Sequence, residues 1–237
     1  MEKIKLGNIT VDVVQKNIKN IHLRVYPPFG KVRISAPFRV DLDTIRVFAI
    51  SKLSWIRKQQ EKLLNQEREA PREFLNNESH YFNGKRYLLN IIEQDAAPRV
   101  ELNLSRIDLF VRPPASKDKM KSILDEWYRK QLKISLPGLI EKWGKKMGVR
   151  VNDFGIKKMK TRWGTCNRRA KRIWLNLELA KKPTECLEFI AVHEMVHLLE
   201  RKHNKIFISY MDKFLPKWRF LKDELNKIPL RHENWNY

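Results

Sequence analysis

Between Phe189 and Leu199, only His193, Glu194 and His197 interrupt an otherwise apolar run. A helix that is apolar nearly all the way round has no face to give to water, so this segment is expected in the centre of its domain. The chain must therefore fold around a helix that carries two imidazoles and a carboxyl into the core. Left without partners there, such groups cost roughly several kcal/mol. A metal ion with a bound water would satisfy them together. Histidines four apart lie on one side of an α-helix, about one turn from each other, and both rings can reach one ion. Glu194 points about a quarter-turn aside, where it can hold a metal-bound water rather than the metal itself. Pro183 and Thr184 are start signals, with Thr184 the expected N-cap and Glu185 and Glu188 complementing the helix dipole.

A catalytic zinc normally has three protein ligands and an open fourth position. His22, His80, His203 and His232 are the remaining histidines. On a continuous helix His203 would sit about 120° round from His197 and roughly 9 Å further along, so its use requires the helix to end near Glu200 and the chain to turn back. The polar run Arg201-Lys202-His203-Asn204 allows that turn, and Asn204 can cap a following helix. Glu200 is the rival, since it stays on the metal face if the helix continues. Spacing alone leaves both open.

The chain has 49 Lys and Arg against 27 Asp and Glu, a net charge of +22. Such a charge attracts anionic partners, whether nucleic acid, nucleotides or acidic protein surfaces. Its densest stretch, Lys157, Lys158, Lys160, Arg162, Arg168, Arg169, Lys171 and Arg172, directly precedes the metal helix. That stretch either grips an anion or simply keeps the protein soluble. Seven tryptophans and 42% hydrophobic residues exclude a disordered tail. No apolar run is long enough to span a membrane, and Met1-Glu2-Lys3-Ile4-Lys5 does not resemble a signal peptide. Two isolated cysteines, Cys166 and Cys186, form no disulfide framework. A cytoplasmic location is expected, with Cys166 a small buried residue.

Strands are expected at 11–15, 21–26 and 31–36, broken by Pro27-Pro28 and Gly30, then a helix capped by Asp41 with Ile45, Phe48, Trp55, Ile56 and Leu63 at helical spacing. A polar segment from Gln66 to Ser79, containing Pro71, reads as a linker or exposed helix end. Strands at 87–92, 99–104 and 107–111 follow, then a helix with Met120, Ile123, Leu124, Trp127 and Leu132 on one face. Trp55-Ile56-Arg57-Lys58-Gln59 and Trp127-Tyr128-Arg129-Lys130-Gln131 occupy similar places in the two halves. Either an ancestral ββα unit was duplicated, or two amphipathic helices arose independently. Pro137 is expected to kink or restart the second helix, and Gly148 to end it. Strands at 153–159 and 172–177 flank Thr161-Arg162-Trp163-Gly164-Thr165-Cys166, giving a hairpin directly before the metal helix. Its edge could pair with an extended peptide. Downstream, Phe207, Tyr210, Met211 and Phe214 mark one helix, with Met211 expected in the core, and Trp218, Leu221 and Leu225 mark another.

Lys160-Thr161-Arg162-Trp163-Gly164-Thr165-Cys166, Ile173-Trp174-Leu175-Asn176, Leu179, Pro183, His193-Glu194-x-x-His197-Leu198, His203, Phe207 and Leu215-Pro216 together resemble the YgjP-like metal-dependent hydrolases, relatives of the SprT-like and WLM zincin metallopeptidases. The resemblance covers most of the chain and is strongest within 150–227. It implies an α+β fold: a zincin-like catalytic domain at 79–237, with an active-site helix beside a small antiparallel sheet, preceded by a β-rich and helical region at 1–78. It also implies one zinc ion held by His193, His197 and His203, with Glu194 catalytic. Thr165 stands where Ser is usual, and Ile208 where relatives often carry Trp, a difference expected to bear on packing.

The leading expectation is a metallopeptidase in which Glu194 activates a zinc-bound water. Arg162 and Tyr210 are candidate oxyanion contacts, while Trp163 and Gly164 shape the neighbouring strand. Two alternatives stand beside it. One is a nucleotide (UTP-type) pyrophosphatase, although the chain has no G-x-x-x-x-G-K-[ST] loop. The other is a nucleic-acid-associated metalloprotein whose zinc is partly structural. The expected partner is a peptide or protein, with nucleic acid or nucleotide on the basic surface and no membrane.

Overall fold

The computed structural model describes residues 2–26, 29–64, 68–69, 72–159, 162–227 and 230–231. Pro27, Pro28, Gln66, Pro71, Lys160, Thr161 and His232 lie outside the described residues. The fold is mixed, with helices and several small sheets, and divides into two compact units: Met1–Pro71 with Pro229–Tyr237, and Arg72–Ile228. The division expected at 78/79 falls inside the second unit, where the Glu78 carboxylate accepts the backbone N–H groups of Glu73 and Phe74. Among the described residues, no helix is long and apolar enough to cross a membrane.

The first unit is a four-stranded sheet made of β1 (Glu2–Leu6), β2 (Ile9–Lys16), β3 (His22–Tyr26) and β4 (Lys31–Pro37) in the order β1-β2-β4-β3. The two central strands are parallel and each outer strand is antiparallel to its neighbour. Alternation puts Val11, Val13, Val32 and Ile34 on a buried face, covered by Ile45, Ala49 and Ile56. Those three come from α1 (Leu42–Ser51) and α2 (Leu53–Leu64). Asp41 caps α1 by accepting the Thr44 N–H at 2.7 Å. The single helix expected here is two, because the Lys52 backbone leaves helical geometry and its N–H closes α1 on Ala49 and Ile50. A short strand β5 (Arg68–Glu69) ends the segment.

The second unit begins with the same topology. Strands β6 (Ser79–Phe82), β7 (Lys85–Glu93), β8 (Arg99–Leu102) and β9 (Arg106–Val111) lie in the order β6-β7-β9-β8, again with a parallel central pair and antiparallel outer strands. A helix follows in both cases, with Ile56 and Tyr128 buried at corresponding places. The likeness of the two halves thus extends from the helical pentapeptides to complete strand order and sense. Asn83 and Gly84, both at positive φ, make the β6–β7 turn, the Asn-Gly chemistry that tight hairpins favour. Their N–H groups bond the carbonyls of Ala180 and Lys181, and a Cβ at Gly84 would lie 2.8 Å from Pro183. The hairpin tip is therefore seated on the segment that leads into the helix carrying His193 and His197.

Helix α3 (Lys117–Met147) is capped by Ser116 and ended by left-handed Gly148. Pro137 does not restart it. The helix runs through, with buried Leu136, Trp143 and Met147 carrying its packing past the proline. His80, on β6, is buried beside Phe74 and 3.4 Å from Glu78. Burial, reinforced by Arg72, depresses its pKa to about 4 against the pull of Glu78. Because the folded value lies below the unfolded one, His80 contributes stability that is complete above pH 6.5 and is lost as pH falls towards 4. The total is at most on the order of 3 kcal/mol. Urea midpoints measured across this range should fall less steeply for His80→Gln than for the wild type. Parallel curves would refute this assignment.

The remaining elements build the cleft. Strands β10 (Asp153–Lys157), β11 (Gly164–Asn167) and β12 (Arg172–Asn176) form a sheet of order β10-β12-β11. The expected strands at 153–159 and 172–177 do not form a hairpin with each other: β10 runs parallel to β12, and the antiparallel partner of β12 is β11, formed by part of the segment expected between them. A 3₁₀ turn at Leu177–Lys181 leads to α4 (Thr184–Leu199), α5 (Lys205–Phe214) and α6 (Trp218–Lys227), and β13 (Leu230–Arg231) returns to pair with β5 in the first unit. Helix α4 packs against β11, β12, α3, α5 and α6, and its apolar residues Ala191, Val192, Met195 and Val196 are fully buried. Pro183 rather than Thr184 occupies its N-cap, since the Thr184 hydroxyl is turned to Glu185.

A candidate metal centre at the end of a buried helix

Helix α4 presents His193 and His197 one turn apart, then stops where Glu200 adopts an extended conformation. The reversal places His203 opposite them, and Asn204 starts α5 by accepting the Phe207 N–H at 3.0 Å. The Nε2 atoms of His193 and His203 lie 3.0 Å apart, and one ligand atom from each of the three histidines lies within 4.8 Å of the others. Tetrahedral ligands about 2.0–2.1 Å from a zinc ion would be separated by roughly 3.3 Å, so the donor set has the right scale. The buried Phe207 ring forms a common floor, with its centroid 4.9, 4.8 and 4.6 Å from those of His193, His197 and His203.

The imidazoles are held in the neutral form that can ligate a metal. Burial, then the neighbouring imidazoles of His197 and His203 and the charge of Lys222, depress the His193 pKa to about 3, which keeps a lone pair available. Burial likewise lowers that of His197. His197 Nδ1 lies 3.1 Å from the Glu200 carbonyl, which can only accept, so Nδ1 carries the proton and Nε2 is left as the donor atom. The rival role for Glu200 is not what the geometry offers. Its carboxylate accepts the Lys202 N–H at 2.9 Å, and its carbonyl orients His197. Of the other histidines, His22 is exposed on β3 and His80 is buried on β6, so neither joins the cluster.

Glu194 leans from α4 against β11. A Cβ at Gly164 would lie 2.7 Å from both Glu194 Cγ and Oε1, so the strand can approach the carboxyl only because residue 164 has no side chain. Burial pushes the Glu194 pKa up to about 8, against the pull of Arg162. A cation among the histidines would favour its ionised form. The donor set and the seated carboxyl therefore fit a metal ion with an adjacent base.

Arg162, Trp163 and Gly164 all line a cleft of about 1530 Å³ that contains the histidines and Glu194. Tyr210 does not line it. One turn beyond Phe207 along α5, it stacks on Phe214 instead. Met211 is core, as expected. Cys166 reaches the cleft wall, with burial and then Glu194 pushing its thiol up to about 11, which leaves it a poor nucleophile. Ile208 lines the cleft too.

Several contributors escaped the sequence reading. Asn176 is buried at the end of β12. Its amide donates to the carbonyls of Met159 and Arg162, and its oxygen accepts from Met159 and Glu178. One side chain thus fixes where β11 begins. Lys222, four residues after Trp218 on α6, and Arg201, just past α4, also line the cleft. The only signal for Asn176 was its place in the I-W-L-N run.

A family model described as YgjP-like, metallopeptidase domain, matches residues 19–228. No curated protein matches the chain. Among solved structures, the crystal structure of the metallopeptidase zymogen of Pyrococcus abyssi abylysin aligns with 37% of this chain and 89% of that chain, at 19% identity and a TM-score of 0.35.

Proposed function

The chain belongs to the YgjP-like metallopeptidase family, and from that premise we propose that it cleaves peptide bonds with one zinc ion held by His193, His197 and His203 and with Glu194 as the general base. Family membership supports a metal-dependent hydrolase and points to protein or peptide as its substrate. The observation that carries the finer reading is the convergence of three imidazole donors beside a buried carboxyl seated on Gly164.

When bound, zinc would supply Lewis acidity towards a carbonyl oxygen and acidify a water molecule. Each chain residue has a separate task. His197, fixed through Nδ1, and His193, kept neutral by burial, offer lone pairs inward. Glu194 takes a proton from the attacking water and passes it to the departing amine, so that water is added across the C–N bond. Its buried seat excludes bulk water from that transfer. Strand β11 pairs only with β12 among the described strands, so its other edge can bond an extended peptide and bring one carbonyl to the histidines. Arg162, which acts electrostatically on Glu194, stands nearest to the role of oxyanion partner.

The test is hydrolysis of unfolded protein by the full chain after chelation and metal return. Dialysis against a chelator should abolish cleavage, and about one equivalent of zinc should restore it. Cleavage that persists in fully metal-free protein would end the proposal.

A further inference from the structure

The cleft wall is strongly one-signed. Arg162, Arg168, Arg169, Arg201 and Lys222 all line it and all are exposed, while among the described residues Glu194 is its only acidic one. Among the described residues, none of the five cations is ion-paired to a carboxylate. Elsewhere on the chain some cations are matched to carboxylates, as Lys142 is to Glu188 and Arg219 to Asp212. The cations are also arranged with respect to the strand edge. Arg162 lies two residues before the start of β11, and Arg168 follows the last residue of that strand. Arg168 is held in place by bonds to the carbonyls of Leu198 and Leu199 at the end of α4, which puts it on the side where Arg201 emerges. Lys222 acts on His193 from α6.

Extended chain advances about 3.3 Å per residue, so the four residues of β11 offer roughly 10 Å of edge, with Arg162 before it and Arg168 in the turn after it. Glu194 meets that strand at Gly164, which is two residues from Arg162 and four from Arg168. A peptide paired with β11 would therefore meet cationic side chains beyond both ends of the strand, Arg162 on one side and Arg168 with Arg201 on the other. The same wall carries Trp163, Ile190, Phe207 and Trp218, apolar surface that suits side chains rather than phosphates.

Building on the peptidase reading, we infer that this cleft selects acidic peptide segments, with Asp or Glu flanking the scissile bond on both sides. The carboxylates provide the charge complement that the protein itself omits from the wall. Attraction of this kind raises both the encounter rate and the residence of the correct segment, and it weakens with salt.

The test uses the zinc-loaded full chain with a proteome-derived peptide library, cleavage positions being read by mass spectrometry. Matched synthetic peptides with Asp and Glu replaced by Asn and Gln at the flanking positions give kcat/KM. Acidic peptides should be cleaved at least about tenfold more efficiently than their amide twins, with the advantage shrinking towards parity near about 0.5 M salt. Arg169→Glu combined with Arg201→Glu, both on exposed positions, should erase most of that preference while zinc content stays unchanged. Equal cleavage of acidic and amide peptides would overturn the inference and leave the peptidase reading intact. Failure to cleave any peptide, with hydrolysis of nucleoside triphosphates or nucleic acid instead, would overturn both.

Discussion

Glu194→Gln should retain its zinc and lose hydrolysis by about three orders of magnitude, the scale on which a positioned general base acts. The amide preserves the volume of the carboxyl in its seat against Gly164 but cannot take a proton from water. Zinc content by elemental analysis and kcat on an unfolded substrate separate the two effects. A companion change approaches the same end sterically. Gly164→Ala places a methyl group 2.7 Å from Glu194 Cγ and Oε1 and 2.9 Å from Cδ, so the carboxyl must move. Displacement by about 1 Å can cost roughly a hundredfold in rate, with metal binding spared. If Glu194→Gln kept wild-type turnover, the base would have to be another group and the proposed chemistry would be wrong.

His203→Ala should abolish stoichiometric zinc binding, whereas Glu200→Ala should lower it little. Loss of an orienting partner around a metal costs about 10–100-fold in affinity, and loss of a direct ligand should exceed that. His203 is exposed on the turn between α4 and α5, so its removal spares the core. The Glu200 side chain caps Lys202, while the bond that matters to His197 comes from the Glu200 backbone and survives truncation to alanine. Isothermal titration with zinc distinguishes the pair. Tight binding by the His203 variant and weak binding by the Glu200 variant would reverse the assignment of the third ligand.

How much of this site could be read from residues alone depended on sequence distance. His193, Glu194 and His197 were legible because a helix converts spacing into direction, and the apolar residues around them announced that the helix was buried. His203 and Glu200 could not be told apart by spacing, since the choice turns on where α4 stops, and the stop is set by the extended Glu200 backbone. Resemblance favoured His203, and the three imidazoles do converge. Asn176 was opaque because all its work is done on main-chain groups from 159 to 178, which no side-chain pattern advertises. Lys222 was hidden for a different reason: on its own helix it looks like a solvated charge, and only the packing of α6 on α4 brings it to the cleft. Tyr210 had the right chemistry but lies one turn too far along α5. In the fold, β6 was missed because four residues, two of them polar, carry little pattern, whereas the longer apolar, β-rich run of β7 was plain.

The two four-stranded sheets, alike in order and in sense, give this polypeptide a hazard during its own synthesis. Neighbouring segments with one shared topology can exchange strands before either is complete, a characteristic failure of repeated architectures. Here each copy has a different companion to condense on: two short helices of 10 and 12 residues in the first, and a single helix of 31 residues in the second. The second copy is further committed by the seating of its Asn83-Gly84 tip on the segment before α4. That contact makes correct strand pairing and assembly of the cleft parts of one event, so a mispaired chain would not display a finished active site.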